Sequence, residues 1–206
     1  MKFPSPLIEG TLVRRYKRFL ADVELSSGET LTAHTANTGS MLGCSDPGSR
    51  VWISDSGNPK RKYRHTLEIV ESADGALVGV NTGLANALVE EAVIDGTARE
   101  LVEYTQLRRE VRYGEEGSRI DLLLEGGDGP RCFVEVKNVT TCEAEGCGFF
   151  PDAVSARGAK HLRELMGVVA GGERAVLLFC VQRTEAHRAR PADEIDTVYG
   201  RTRRES

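Results

Sequence analysis

The segment from Arg119 to Lys137, Arg-Ile-Asp-Leu-Leu-Leu-Glu-Gly-Gly-Asp-Gly-Pro-Arg-Cys-Phe-Val-Glu-Val-Lys, restricts the possible folds more than any other stretch. It reads as two short strands, Ile120 to Leu124 and Cys132 to Val136, joined by a turn. Gly126, Gly127, Asp128, Gly129 and Pro130 supply the positive-φ and fixed-φ residues that such a turn requires. Side chains alternate along a strand, so Ile120, Leu122, Leu124, Cys132, Val134 and Val136 are expected on one wholly apolar face. The opposite face is then Asp121, Leu123 and Glu125, with Arg131, Phe133, Glu135 and Lys137.

Register decides what the second face does. With the turn centred on Asp128, Leu123 stands opposite Phe133 and Asp121 opposite Glu135. Directly opposed residues have Cβ atoms about 4.5–5.5 Å apart, a separation at which like charges are destabilising. Two carboxylates that close call for a shared proton or a cation. A hard divalent ion with oxygen ligands, Mg²⁺ or Mn²⁺, satisfies them. Lys137, two residues beyond Glu135, reaches whatever the metal holds. Carboxylates, a metal and a lysine are the parts of a phosphodiester-cleaving site. The plain alternative is a one-sided hairpin showing its charges to water, and a slip of one residue parts the two acids.

The 206 residues suffice for one large or two small domains, and 40 % apolar with 28 % charged content is ordinary for a globular chain. No apolar run approaches the roughly 20 residues of a membrane span, and the N-terminus carries no signal-peptide pattern. A cytoplasmic protein with no membrane partner is expected. The five cysteines are scattered, with only Cys142 and Cys147 close together, so reduced thiols are expected and a zinc site is not.

A net charge of −4 argues mildly against nucleic acid. The basic residues of the first eighty positions nevertheless bunch into Arg14-Arg15-Tyr16-Lys17-Arg18 and Lys60-Arg61-Lys62-Tyr63-Arg64, and local patches govern phosphate binding. A tyrosine among cations can stack on a base while its neighbours hold phosphates. A solvated charged rim is the competing reading. Asn37-Thr38-Gly39-Ser40-Met41-Leu42-Gly43 is either a backbone nest for phosphate or a plain loop.

Short strands are expected over 7–14, 19–25, 30–34, 51–54, 66–72 and 76–81, separated by Gly, Pro, Asn and Asp turns, which indicates a small barrel or sandwich. From Gly83 to Val93 the period becomes helical, with Glu90 and Glu91 in its second half and Gly96 after it. Leu101 to Tyr113 is a mixed connector. A polar loop is expected from Lys137 to Gly148, then a helix capped by Asp152 or Ser155 with an apolar stripe at Ala159, Leu162, Leu165, Met166 and Val169. Arg157, Lys160, His161 and Glu164 share a neighbouring face of that helix. Ala175 to Val181 is continuously apolar and is expected to be a strand buried on both faces. Beyond Thr184 the chain is Arg-rich, with a brief helix around Ile195, Val198 and Tyr199 and a frayed end.

These segments together resemble the sugar fermentation stimulation protein A family. The resemblance rests on Arg15-Tyr-Lys-Arg-Phe-Leu-Ala-Asp22, Asn37-Thr-Gly39, Lys60-Arg-Lys-Tyr63, Asn81-Thr82, Ala85-Asn86, Ser118-Arg-Ile-Asp121, Glu135-Val-Lys137, Phe150-Pro-Asp-Ala153 and Lys160-His-Leu-Arg-Glu-Leu165, which occur in one order from Leu12 to about Val181. It implies an OB-like N-terminal β-barrel over 1–82, followed over 83–206 by a mixed-sheet, PD-(D/E)xK nuclease-like α/β domain. The nuclease motif falls on Asp121, Glu135 and Lys137, with Asp121 and Glu135 as metal ligands. Its helical glutamate matches Glu91, and the basic helix positions match Arg157 and Lys160. Arg14, Arg15, Tyr16, Lys17, Arg18, Asn37, Lys60, Arg61 and Lys62 complete the nucleic-acid-binding set, for DNA with RNA as the alternative, largely without sequence preference. Family members usually continue through a further helix and strand, so the C-terminal end is expected to be short of an edge element. Two functions are therefore expected to compete: a Mg²⁺-dependent nuclease, and a DNA-binding regulator whose nuclease-like half is a scaffold.

Overall fold

Six strands alternate inward apolar and outward polar residues along the first eighty positions: β1 (Ile8–Tyr16), β2 (Leu20–Leu25), β3 (Thr30–His34), β4 (Arg50–Asp55), β5 (His65–Glu71) and β6 (Leu77–Gly79). They hydrogen-bond in the order β3-β2-β1-β4-β5-β6, and β3 also pairs with β5. That last pairing is parallel, at Ala33↔His65 and His34↔Thr66, and it closes β1 to β5 into a barrel. Closure removes the exposed sheet edges on which chains aggregate. The OB-like barrel that the resemblance implies is therefore present, with five strands in its wall. Leu12, Val23, Ala33, Val51, Ile53, Leu67 and Val70 fill it and are fully buried. Each such valine, leucine or isoleucine contributes about 1.5–3 kcal/mol by leaving water. A bulge between Leu12 and Arg14 bends β1 so that it can serve both halves of the barrel.

The computed structural model describes the chain except residues 144, 145, 152, 153, 155 and 206 and the side chains of residues 156 and 203–205. The expected helix caps Asp152 and Ser155 lie outside the described residues. The chain forms two compact units, and the first takes back two later segments, Val139–Asp152 and Val181–Arg190. A division at Gly83 does not anticipate these returns. They supply β10 (Cys142–Glu143), β11 (Cys147–Phe150) and β13 (Arg188–Pro191), a small sheet in the order β10-β11-β13. The expected polar loop after Lys137 is thus partly strand. Arg183 ties the returns together, donating to the Thr140 carbonyl at 3.1 Å and to Glu185 at 2.6 Å.

In the second unit α1 (Ala85–Ile94) is followed by β7 (Gln106–Tyr113), β8 (Ser118–Glu125), β9 (Cys132–Val139), α2 (Ala156–Ala170), β12 (Arg174–Val181) and α3 (Thr197–Glu205). The sheet order is β12-β9-β8-β7. Ala85, Val89 and Val93 of α1 cover Leu122, Leu124, Cys132, Val134 and Val136. On the other face Leu165 of α2 joins Tyr113, Ile120, Leu123 and Phe133. α2 ends at Gly172, whose φ of 84° is the left-handed conformation that a helix stop favours. β12 is half-buried along its whole length instead of buried on both faces. It lies at the margin of the sheet, and a cavity of about 290 Å³ separates Leu177 and Phe179 from Leu162 and Met166. The C-terminal helix runs to Glu205, past the brief helix expected, and buries Tyr199. Among the described residues no helix is long and apolar enough to cross a membrane.

Candidate metal and nucleic-acid site

The ladder between β8 and β9 pairs Leu122↔Val134, Leu123↔Phe133 and Leu124↔Cys132, the register expected from a turn centred on Asp128. Strict alternation fails just before it. Ile120 packs with Leu123 and Phe133, although residues three apart on a regular strand face opposite ways. The neighbouring strand shows the cause: β7 and β8 pair at Arg109↔Leu122 and Val111↔Ile120, and between them Glu110 has a left-handed φ of 53°. This irregularity falls opposite Asp121. Its carboxylate accepts a hydrogen bond from the Val136 amide at 2.7 Å through Oδ2, and one from the Asn86 side chain at 2.9 Å through Oδ1. Asp121 thus sits against the backbone of the residue that follows Glu135.

Glu135 is 3 % exposed. Its Oε1 accepts from Lys137 Nζ at 2.6 Å and is in contact with His161 Nδ1. Its Oε2 is buried with no hydrogen-bond partner. Burial pushes this carboxyl up, but the bond from His161, the Lys137 charge and the Lys137 bond outweigh it and hold Glu135 below the usual carboxylate range. It is therefore an anion at neutral pH, with one oxygen committed and one vacant. Nearby, the buried Tyr113 hydroxyl also lacks a partner. Burial, and then the charges of Glu135, Glu164 and Asp121, push it well above the usual tyrosine value. The Tyr113 hydroxyl therefore feels three carboxylates at once.

A hard divalent cation fits these donors. An unsatisfied buried carboxylate oxygen is costly unless something binds it, and each Asp121 oxygen keeps lone-pair capacity beyond its one hydrogen bond. Among the described residues no group of three or more His, Cys, Asp or Glu side chains converges. A cation here would accordingly rest on two carboxylates, with main-chain oxygens and water completing its shell, as Mg²⁺ commonly does.

Other expected site residues are placed differently. Glu91 is exposed, and it lies about 140° around α1 from Asn86, the α1 residue that reaches Asp121. Glu90 lies one turn on from Asn86 and pairs with Arg109. Arg157 does reach the site, donating from Nε to His161 Nε2 at 3.3 Å. Lys160 turns away to the Glu116 carbonyl at 2.6 Å. Beside it Glu164, buried, accepts the amides of Glu115 and Glu116 and closes the β7–β8 turn.

In the first unit one basic block runs from the end of β1 into the β1–β2 connection, and the other occupies the β4–β5 connection. β2 begins at Leu20, paired with His34, and β5 begins at His65, paired with Ala33. Both connections therefore open at the end of the barrel marked by the last residues of β3. OB-folds bind oligonucleotides with these two loops. Not every residue of the set points outward. Arg14 and Tyr16 bond Asp22, at 2.8 and 3.1 Å. Arg15 donates to the carbonyls of Arg18, Asn37 and Gly39. Asn37 is buried, and its side-chain oxygen accepts the Gly39 amide at 2.8 Å, which closes a turn. Arg18 is exposed while bonding the Thr38 carbonyl. Lys17, Lys60, Arg61 and Lys62 are exposed cations.

Comparison with known proteins agrees with this architecture. Residues 13–80 match the family model described as the SfsA N-terminal OB domain, and residues 83–206 match the sugar fermentation stimulation protein RE domain. This chain belongs to the sugar fermentation stimulation protein family. It is 62 % identical over 206 residues to a sugar fermentation stimulation protein homolog of Thioalkalivibrio sulfidiphilus, covering all of this chain and 86 % of that one. With the homolog of Teredinibacter turnerae the identity is 65 % over 206 residues, covering 100 % of this chain and 88 % of the other. The solved structure of Pyrococcus furiosus SfsA in complex with Ca²⁺ matches with a TM-score of 0.87 and 27 % identity, over 100 % of this chain and 85 % of that one.

Within this sugar fermentation stimulation protein fold, sequence reasoning passed over three groups that the structure brings to the carboxylates: Asn86, Tyr113 and His161. The signal available for His161 was its place four residues after Arg157 on one helix face. That face reads as solvated and basic, yet both His161 and Glu164 are buried in it.

Proposed function

We propose that this family member is a divalent-cation-dependent phosphodiester hydrolase that acts on nucleic acid. The observation that carries the reading is Glu135, a buried anion with Oε1 held by Lys137 and His161 and Oε2 without a partner, beside the Asp121 carboxylate. Asp121 and Glu135 would hold Mg²⁺ or Mn²⁺. That a relative of the same fold was solved with Ca²⁺ supports a divalent site. When bound, such an ion polarises a phosphate and lowers the pKa of a water molecule on it. Lys137 is 12 % exposed and keeps its ammonium against Glu135, where it would orient the attacking water and offset charge gathering on the phosphate. Arg157 would meet a phosphate oxygen. Lys17, Arg18, Lys60, Arg61 and Lys62 would grip the backbone of the strand, which favours binding without base readout.

A second reading, a nucleic-acid-binding regulator with an inert nuclease-like half, is favoured by one observation: both Asp121 oxygens already accept hydrogen bonds. Labelled single- and double-stranded DNA and RNA, incubated with the purified protein in Mg²⁺ or in chelator, separate the two. Cleavage that needs Mg²⁺ supports the hydrolase, and binding with no cleavage supports the regulator.

A further inference from the structure

The geometry points to His161 as a positioning residue that fixes the Glu135 carboxylate so that Oε2 is presented to a divalent cation. This inference rests on the cation site proposed above. The terminal torsion of a glutamate is soft, so an unrestrained Glu135 would turn until both oxygens found partners. Lys137 does not prevent that turn, because its ammonium rides on a flexible four-carbon stem and can follow Oε1. His161 can prevent it. The residue is 7 % exposed, on a helix anchored by the buried Leu162 and Leu165. Its two nitrogens are both occupied, Nδ1 by Glu135 Oε1 and Nε2 by Arg157 Nε.

The second contact sets the sense of the first. A guanidinium offers donors and no acceptor, so Nε2 supplies the lone pair and the ring proton belongs on Nδ1, facing Glu135. Arg157 fixes the imidazole, the imidazole fixes Oε1, and Oε2 is what remains. This is the usual second tier of a metal centre, in which a ligating carboxylate is itself hydrogen-bonded. It gives Arg157 a task that does not require nucleic acid.

The test is titration of the full chain with Mn²⁺ alone, by calorimetry, with thermal unfolding recorded for each variant. His161→Ala is expected to weaken Mn²⁺ binding about 10–100-fold. In His161→Asn the amide nitrogen falls near the place of Nδ1, and affinity should return most of the way to that of the unaltered protein. In His161→Gln the nitrogen falls one atom farther out, and affinity should stay low. If His161→Ala does not fold, the Asn and Gln variants decide the matter, because a merely structural polar role would treat them alike. Unchanged affinity in His161→Ala, or equal affinity in the Asn and Gln variants, overturns the role of His161 and leaves the cation site standing. No Mn²⁺ binding by the unaltered protein overturns both.

Discussion

The Asp121 carboxylate accepts the backbone amide of Val136 at 2.7 Å, so an acid on one strand is fastened to the next strand one residue from Glu135. The paired ladder of those strands ends at Leu122↔Val134. Beyond it a side chain stands in for the missing backbone partner. Two acids fourteen positions from one another along the chain are thereby held to the same short piece of β9. The hydrolase reading follows from that arrangement. Asp121→Ala and Glu135→Ala are each expected to lower Mg²⁺-dependent cleavage by at least about 100-fold. Binding of labelled nucleic acid in chelator, measured by gel shift, should remain within about threefold, since phosphate contacts carry affinity. Undiminished cleavage by a clean preparation of either variant would contradict the assignment.

The barrel loops give an independent prediction. Lys60, Arg61 and Lys62 are exposed on the β4–β5 connection. Replacing each by alanine should weaken binding to all sequences alike and reduce the slope of log affinity against log salt by about 1 per cation removed. Asn37→Ala should act through the barrel instead, lowering thermal stability by loss of the turn that Asn37 closes, with the salt slope unchanged. A fluorescence-anisotropy series in salt reads both.

Much of this was legible in the residues, and the exceptions have physical causes. The turn glycines placed Leu123 opposite Phe133, and the structure agrees. Placing Ile120 on the same face as Leu122 failed, because the break in alternation is marked by a left-handed Glu110, a residue type that does not announce such a φ as glycine or asparagine would. The basic loops could be found by composition. Their division into exposed cations and internal clamps, such as Arg15 on three carbonyls, depends on where the chain folds back, which no local pattern records. His161 was hidden for a similar reason. A helix face of Arg157, Lys160, His161 and Glu164 reads as solvated until the sheet beneath it supplies Glu135 and the β7–β8 turn supplies two amides.

That turn yields a stability prediction. Gly114 has φ 71°, and the Glu164 carboxylate fills the space a Cβ would need. Gly114→Ala therefore meets left-handed strain and displaces the carboxylate from the amides of Glu115 and Glu116. A loss of about 1–3 kcal/mol is expected in chemical denaturation.

Asp22 gives the barrel an acid limit. Burial pushes its carboxyl up, but hydrogen bonds from Arg14, Thr32 and Tyr16 prevail and hold it below its ordinary 3.8. A carboxyl whose folded value is depressed stabilises above its unfolded value, and that contribution fades as pH falls through and below it. The barrel should accordingly lose stability as pH drops below about 4. Asp22→Asn should be less stable at neutral pH and show a flatter decline on the acid side. Urea unfolding followed through Trp52 fluorescence at several pH values measures this.

Crystals grown or soaked with Mn²⁺ and measured for anomalous scattering test the central claim most directly. The account predicts one peak bonded to Glu135 Oε2 and to the Asp121 carboxylate, and its loss in Glu135→Ala. A Mn²⁺-saturated crystal with no peak between those two side chains would contradict it.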